Sequence, residues 1–313
     1  MKQILLNSSF INRVPQWSFF FKVIAAISTG LILSVAHAKE NQQKPLQFGV
    51  GMFQPDREKN DTTYRPLAQY LAKQLGRPVV LKTVDSWEGL AKSLSNGETD
   101  LALMGPWGYV LANQYAGAQV VSTILYNGKP NYHAIIITHP GSGIETIDDV
   151  LGAKGKDISF AFGDKGSTSG YLIPLHFFMQ KGIDPQKHFA RVLHTKHQAI
   201  QMQVTRGQLQ AGADYDRNRD AMISQAMITP QRSVIIWQSE PLPNDAFAVS
   251  ARVYEDTALI KKLTEALRGV SARLAETPNL LPANYTGFID ADNTAYKSIR
   301  DAGLATGTLR PRP

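Results

Sequence analysis

The chain has no cysteine among its 313 residues. That excludes a disulfide framework and lipid attachment through a thiol. Its seven histidines form no H-E-x-x-H motif and no Asp/His cluster at ligand spacing, so the familiar metal-hydrolase patterns are absent. Charged residues are only 19% of the chain. No run of Lys and Arg is interleaved with aromatics, so nucleic acid is not an expected partner. There is no internal repeat and no low-complexity segment.

The N-terminus reads as a separate unit. Lys2, Arg13 and Lys22 are the only charged side chains before residue 39, an uncharged stretch runs from Val23 to Val35, and Ala36-His37-Ala38 follows. This is the charged region, apolar region and A-x-A cleavage site of a secretory signal peptide over residues 1–38. The apolar core is too short for a comfortable membrane span. Removing it takes three of the 33 basic residues and no acids, leaving 30 against 26 Asp and Glu, a net charge of +4. The expectation is an exported, disulfide-free protein of a bacterial periplasm.

The rest of the chain alternates apolar strand-like runs with helical spacing, which predicts an α/β fold with mostly parallel sheets. Strands are expected at Phe48–Met52, Arg77–Val84, Asp100–Met104, Val120–Leu125 and Tyr132–Thr138. Helices are expected at Thr63–Leu75, Trp87–Ser95 and Tyr109–Ala116. The breaker cluster His139-Pro140-Gly141-Ser142-Gly143 marks a domain crossing. A second series follows: strands Ile158–Phe162, Ala190–Leu193, Ala211–Tyr215 and Val234–Trp237, with helices Tyr171–Lys181, His197–Arg206 and about Asp220–Met227. Pro241-Leu242-Pro243-Asn244-Asp245 leads back to the first domain through strand Ala246–Ala251, and an amphipathic helix covers Leu259–Leu274. The predicted organisation is domain one from 39–138 plus 246–313, domain two from 139–245, and two interdomain crossings.

One stretch carries chemistry: Gly163-Asp164-Lys165-Gly166-Ser167-Thr168-Ser169-Gly170. It links an apolar strand to a helix start, and Pro174 suits a first turn. The free N–H groups of a helix start attract an anion, and three adjacent hydroxyls add donors for one with several oxygens. It is not a Walker loop, because Ser167 follows Gly166 where Lys is required. It is not a nucleophile elbow, because Thr168 stands at the centre of Gly166–Gly170. Ligands of open α/β sheets bind beyond the carboxyl ends of strands, so this loop is expected to face the interdomain cleft.

With these residues in hand, the sequence resembles the PhnD-like periplasmic binding proteins of phosphonate, phosphite and phosphate ABC importers, over nearly all of Phe48 to about Ala275. The matching motifs are Gly105-Pro106 after Asp100-Leu101-Ala102, the loop Gly163-Asp164 with Ser167-Thr168-Ser169-Gly170, His197 opening a helix, Gly207-Gln208-Leu209-Gln210-Ala211, and Pro241 to Asp245. The resemblance implies a two-domain, type II-like periplasmic binding protein. It also implies roles: Ser167, Thr168 and Ser169 bind ligand oxygens, His197 donates another hydrogen bond, and Tyr132 contributes from the first crossing. Asp245 accepts a hydrogen bond from a protonated ligand oxygen. Trp87 stands where relatives carry an aromatic, often Tyr, that closes the site. Counting from His197 places Arg217 where aminoalkylphosphonate-binding relatives have an acid. A cation there disfavours an ammonium-bearing ligand, whereas a one-residue slip puts Asp216 at the position and makes Asp214 or Asp216 an amine site.

The implied function is the substrate-binding component of an importer for a phosphorus oxyanion. Its partners are that small anion and an inner-membrane permease, and it is expected to work as a monomer, without cofactor or metal. The alternative is a sensor module for a membrane kinase or regulator. An enzyme is not expected, because Ser167 and His197 are the only candidate pair and nothing evident in the sequence orients the histidine.

Overall fold

The structure is a computed structural model that describes residues 44–311 apart from Met52 and Pro55. The expected signal peptide lies outside the described residues. From Pro45 onward the chain forms one compact unit built on two large sheets and a two-stranded ribbon. The strands are β1 (Leu46–Gly51), β2 (Val79–Val84), β3 (Leu101–Met104), β4 (Gln119–Tyr126), β5 (Asn131–Tyr132), β6 (Ala134–Thr138) and β7 (Ser159–Phe162). They continue with β8 (Arg191–His194), β9 (Ala211–Tyr215), β10 (Val234–Gln238), β11 (Leu242–Pro243), β12 (Ala246–Val249) and β13 (Tyr285–Asp290).

The first sheet has the order β13-β4-β12-β3-β1-β2 and the second β10-β6-β9-β7-β8, while β11 pairs with β5. Both sheets are mixed, which corrects the expectation of mostly parallel sheets. Only β1–β2, β1–β3, β7–β8 and β7–β9 are parallel pairs among the described residues. The returning strand β12 runs antiparallel between β3 and β4, and β6 runs antiparallel between β9 and β10. Such strands arrive from the other sheet and enter from the opposite end, which periodicity does not reveal.

Eight longer helices cover the sheets: α1 (Arg57–Leu75), α2 (Trp87–Ser95), α3 (Pro106–Ala116), α4 (Ile173–Gln180), α5 (His197–Thr205), α6 (Asp216–Ser224), α7 (Thr257–Arg268) and α8 (Lys297–Ala305). Local chemistry sets their ends. Asp56 caps α1 through the Lys59 N–H, Gly76 closes it at φ 62°, and Ser86 caps α2 through the Gly89 N–H. The helix α1 starts six residues before the expected Thr63, because its first turns are polar. The expected helix over Leu259–Leu274 is divided at Gly269 into α7 and a short turn. One core layer joins α1 and α7 to the first sheet through Leu67, Leu71, Phe247 and Leu263. Another joins α3, α8 and the first sheet to Leu172, which follows the anion loop. The second sheet is packed by Phe160, Phe162 and Phe178 on one face and by Ile135, Ile137 and Ile200 on the other.

Two departures bear on the site. The run Tyr132–Thr138 was expected to be one strand of domain one. It is divided at His133: Tyr132 pairs with Leu242 in the ribbon, and Ala134–Thr138 lies in the second sheet against β9 and β10. The apolar side chains of β6 are wholly buried there, and the cluster at His139 is only the turn that leaves it. The chain therefore passes from the ribbon into the second sheet at residues 131–133. The helix expected from about Asp220 begins instead at Asp216. Its first turn is polar and anchored by buried contacts, Asn218 Nδ2 to Asp214 at 2.9 Å and Arg219 to Ser233, so no apolar period marks it.

Candidate functional site

The carboxyl ends of β1, β2 and β3 in one sheet and of β7, β8 and β9 in the other converge on a cavity of about 450 Å³. Trp87, Tyr132, Ser167, Thr168, Ser169, His197, Arg217 and Asp245 all line it. The two ribbon strands pass beside it: Tyr132 lies on β5, and Asp245 follows β11.

The loop after β7 is tightly folded. Ser167 caps a π-helical turn, with its Oγ accepting the Gly170 N–H at 3.0 Å and its carbonyl accepting the Leu172 N–H at 3.1 Å. Single π turns of this kind recur at functional sites. Gly163 and Gly170 approach so closely that a Cβ on Gly163 would lie 3.0 Å from the Gly170 Cα. The three hydroxyl residues are 3–5% exposed although they lie on a loop. The reason is contact from the other sheet. Thr168 Oγ1 accepts the Trp107 backbone N–H at 2.8 Å, and the Trp107 indole donates to the Lys165 carbonyl at 3.2 Å. The start of α3 thus meets the loop head-on.

His197 stands at the start of α5 with Nε2 3.1 Å from Ser167 Oγ and Nδ1 2.7 Å from Asp214 Oδ1. Asp214 is an acceptor, so it takes the Nδ1–H. In the neutral ring this makes Nε2 the acceptor of the Ser167 hydroxyl. Asp214 is fully buried and also accepts from Gln201 at 2.6 Å and Asn218 at 2.9 Å. The sequence reading found nothing to orient this histidine. The orienting group is an aspartate on β9, seventeen residues away, and only the parallel β7–β9 pairing brings it close.

Tyr132 is buried, and its hydroxyl faces the Thr168 and Ser169 side chains. Burial pushes its pKa well above the ordinary range, so the phenol stays protonated and can donate. Asp245 is 4% exposed, and burial raises its carboxyl above the usual carboxylate range, with Arg217 opposing. Arg217 is 7% exposed. Its Nη2 lies 3.4 Å from Asp245 Oδ2, and its guanidinium lies 4.5 Å from the Tyr132 ring centre and 5.3–5.7 Å from those of Tyr126, Tyr215 and Tyr285.

Asp216 does not reach the cavity. Its two oxygens accept from the backbone of His133 and Arg217. With Asp214 bound to three donors, the register of β9 and α6 places Arg217, not either aspartate, on the cavity wall. Trp87, the first residue of α2, is half-buried and packs edge-on to Phe53 at 4.8 Å. It also lies against the loop, since a Cβ on Gly166 would be 2.8 Å from the Trp87 Cβ.

The sequence reading missed Phe53, Gly105 and Tyr215 as wall residues. Gly105 and Tyr215 carried a usable signal, because each ends a strand at the cleft. Among the described residues no group of three or more His, Asp or Glu is placed to hold a metal, and no helix is long and apolar enough to cross a membrane.

Comparison with known proteins adds the family. Residues 52–296 match the family described as the periplasmic substrate-binding protein of phosphonate ABC transporters. The phosphonates-binding periplasmic protein of Escherichia coli is 28% identical over 243 residues, covering 75% of this chain and 71% of that protein. The phosphate-import protein PhnD of Mycolicibacterium smegmatis is 25% identical over 258 residues, 79% of this chain and 76% of that one. In fold, the chain is similar to PhnD1 of Prochlorococcus marinus solved with methylphosphonate, at a TM-score of 0.74 and 21% identity, covering 85% of this chain and 99% of that one. The chain therefore belongs to the phosphonate-type periplasmic substrate-binding proteins of ABC transporters.

Proposed function

We propose that the protein binds a phosphorus oxyanion in the cavity between its two sheets and presents it to the membrane permease of an importer. The observation that carries this reading is the convergence of Ser167, Thr168, Ser169, His197 and the Tyr132 hydroxyl on one buried spot. Thr168, Ser169 and Tyr132 offer hydroxyl donors, and His197 in its protonated form offers Nε2–H to an anion, a form in which Ser167 no longer donates to the ring. Asp245 beside these donors suits an anion that still carries a proton, since a carboxylate can only accept. The likeness to proteins named for phosphonate and phosphate binding supports the same class of ligand.

In this reading the two sheets are the cores of two lobes joined at residues 131–133 and near 245. Thr168–Trp107 and Trp107–Lys165 are contacts that hold them closed, and ligand binding favours closure because it recruits donors from both sides. The Ser167–His197–Asp214 chain has hydrolase-like spacing but serves here to aim the imidazole. The Ser167 oxygen already accepts the Gly170 N–H and caps its turn, whereas a nucleophile must be free to attack. We assign no catalytic step, and the unit that meets the permease is a monomer.

Calorimetric titration with phosphate, phosphite, methylphosphonate and sulfate tests the reading. Phosphorus anions are expected to bind with micromolar or tighter affinity, and Ser169→Ala to weaken them about tenfold or more, the worth of one hydrogen bond to a charged group. Absence of binding by every phosphorus anion overturns it.

A further inference from the structure

Arg217 is the one cavity-wall residue with buried polar atoms that find no partner: its Nε and Nη1 have none among the described residues. Its only polar contact through the guanidinium is Nη2 with Asp245 at 3.4 Å. A guanidinium has five N–H donors in a rigid plane. Asp245 occupies one edge of Nη2, so whichever edge that is, the other keeps a complete two-donor fork with Nε or Nη1. Burying such donors unpaired is costly, and native proteins seldom leave them so. The guanidinium carbon lies over the rings of Tyr126, Tyr132, Tyr215 and Tyr285 at 4.5–5.7 Å from their centres, contacts that favour the charge but give its N–H groups no lone-pair acceptor.

The fork and the loop hydroxyls reach the cavity from different elements, Arg217 from the first turn of α6 and the hydroxyls from the loop after β7. Thr168 Oγ1 and Asp245 Oδ1 both fall within 4.0 Å of the point a Cβ would take on Gly105, and it is the other oxygen of Asp245, Oδ2, that meets Arg217. The cavity, about 450 Å³, is also roomier than a bare five-atom oxyanion requires. Resting on the oxyanion reading above, we propose that the ligand is a carboxylated phosphonate, its phosphonate held by the Ser167–Ser169 loop and its carboxylate by the Arg217 fork. A carboxylate is planar, singly charged and matched to a guanidinium edge. A second phosphoryl group would bring up to two charges beside Asp245 against one cation.

The test is calorimetric competition on the signal-free chain, using phosphonoformate, phosphonoacetate, 3-phosphonopropionate, methylphosphonate, 2-aminoethylphosphonate and methylenediphosphonate. At least one carboxylated phosphonate is expected to bind roughly tenfold to a hundredfold tighter than methylphosphonate, with 2-aminoethylphosphonate the weakest. Arg217→Gln and Arg217→Lys should each shrink that ratio toward one, the lysine because it keeps the charge without the fork. If either variant fails to fold, the ranking in the parent protein decides alone. Methylphosphonate binding as tightly as every carboxylated compound overturns this proposal while leaving the oxyanion reading intact. Methylenediphosphonate binding tightest also overturns it, by making the second group phosphoryl. No binding by any phosphorus compound overturns both.

Discussion

The two ends of the cavity are built on opposite plans. At the loop end the polar groups are tied to one another: Ser167 to His197 and Gly170, His197 to Asp214, and Thr168 to Trp107. At the Arg217 end a charged group is caged by tyrosines and keeps two nitrogens without partners. The first arrangement is rigid and complements an oxyanion whatever is attached to it. The second is incomplete until something supplies acceptors. In the proposed reading, general affinity belongs to the loop and discrimination among related anions to the Arg217 end.

The strongest way to break this division is to remove the loop hydroxyls together. Ser167→Ala, Thr168→Ala and Ser169→Ala combined should lower affinity for every phosphorus anion by about three orders of magnitude or more, at about 1.5–3 kcal/mol for each hydrogen bond to a charged ligand. Because these residues are buried and bonded within the protein, thermal stability should fall as well, by about 2–4 kcal/mol. Calorimetry with a parallel melting curve reads both. Unchanged affinity would remove the loop from the site. Next in size is Asp214→Ala, which leaves the donors of His197, Gln201 and Asn218 facing a buried gap. It should cost about 3–5 kcal/mol of stability. Asp214→Asn, which keeps the shape, should cost less but still weaken anion binding by disturbing the His197 tautomer. If Asp214→Asn binds as the parent does, the imidazole is structural only.

That prediction also shows what the sequence conceals. The loop was legible because its chemistry is contiguous: a strand, three glycines and three hydroxyls in one short stretch. The convergence of Trp87, Tyr132 and Asp245 was legible only through a family resemblance, since they are far apart in the chain. Asp214 was visible as a residue, but its partner was not, because its meeting with His197 depends on strand pairing. The division of Tyr132–Thr138 was hidden for a similar reason. A continuous apolar run looks the same whether it serves one sheet or crosses between two, and the break rests on His133, whose backbone N–H goes to Asp216 and whose ring contacts the Ser239 carbonyl.

Asp245 lies between the two plans and gives a smaller effect with a definite sign. Burial raises its folded-state pKa, so the folded protein holds that proton more tightly than the unfolded chain. The associated stability is full below the ordinary carboxylate range, about pH 4, and is lost as pH rises through the folded value. Asp245→Asn removes this loss. Urea melts in steps upward from about pH 4 should therefore show the variant gaining on the parent. In binding, the parent should reject sulfate, which brings no proton to the carboxylate, and the asparagine should admit it about tenfold better because its amide can donate. A parent protein that binds sulfate and phosphate equally would contradict the assignment of Asp245 as an acceptor.

The smallest effect is expected at Trp87, and it tests whether the rim of the cavity belongs to the rigid end. The indole touches three things at once. It meets the Phe53 ring edge-on at 4.8 Å. It covers Gly51, where a Cβ would lie 2.3 Å from the ring, and its Cβ abuts Gly166 in the loop. Gly51 is thus small because the tryptophan ring lies over it. Trp87→Tyr keeps an aromatic plane over Gly51 and should change affinity by less than about 1 kcal/mol, a loss mainly of packed area. Trp87→Ala keeps the Cβ against Gly166 but removes the ring that covers Gly51 and packs on Phe53. It should weaken binding about threefold to tenfold, chiefly through faster dissociation, since a loosened rim lets the closed form open more often. Stopped-flow dissociation with a tight ligand separates the cases. If Trp87→Ala leaves the dissociation rate unchanged, the loop is held by Thr168 and Trp107 alone, and the rigid end of the cavity stops short of the rim.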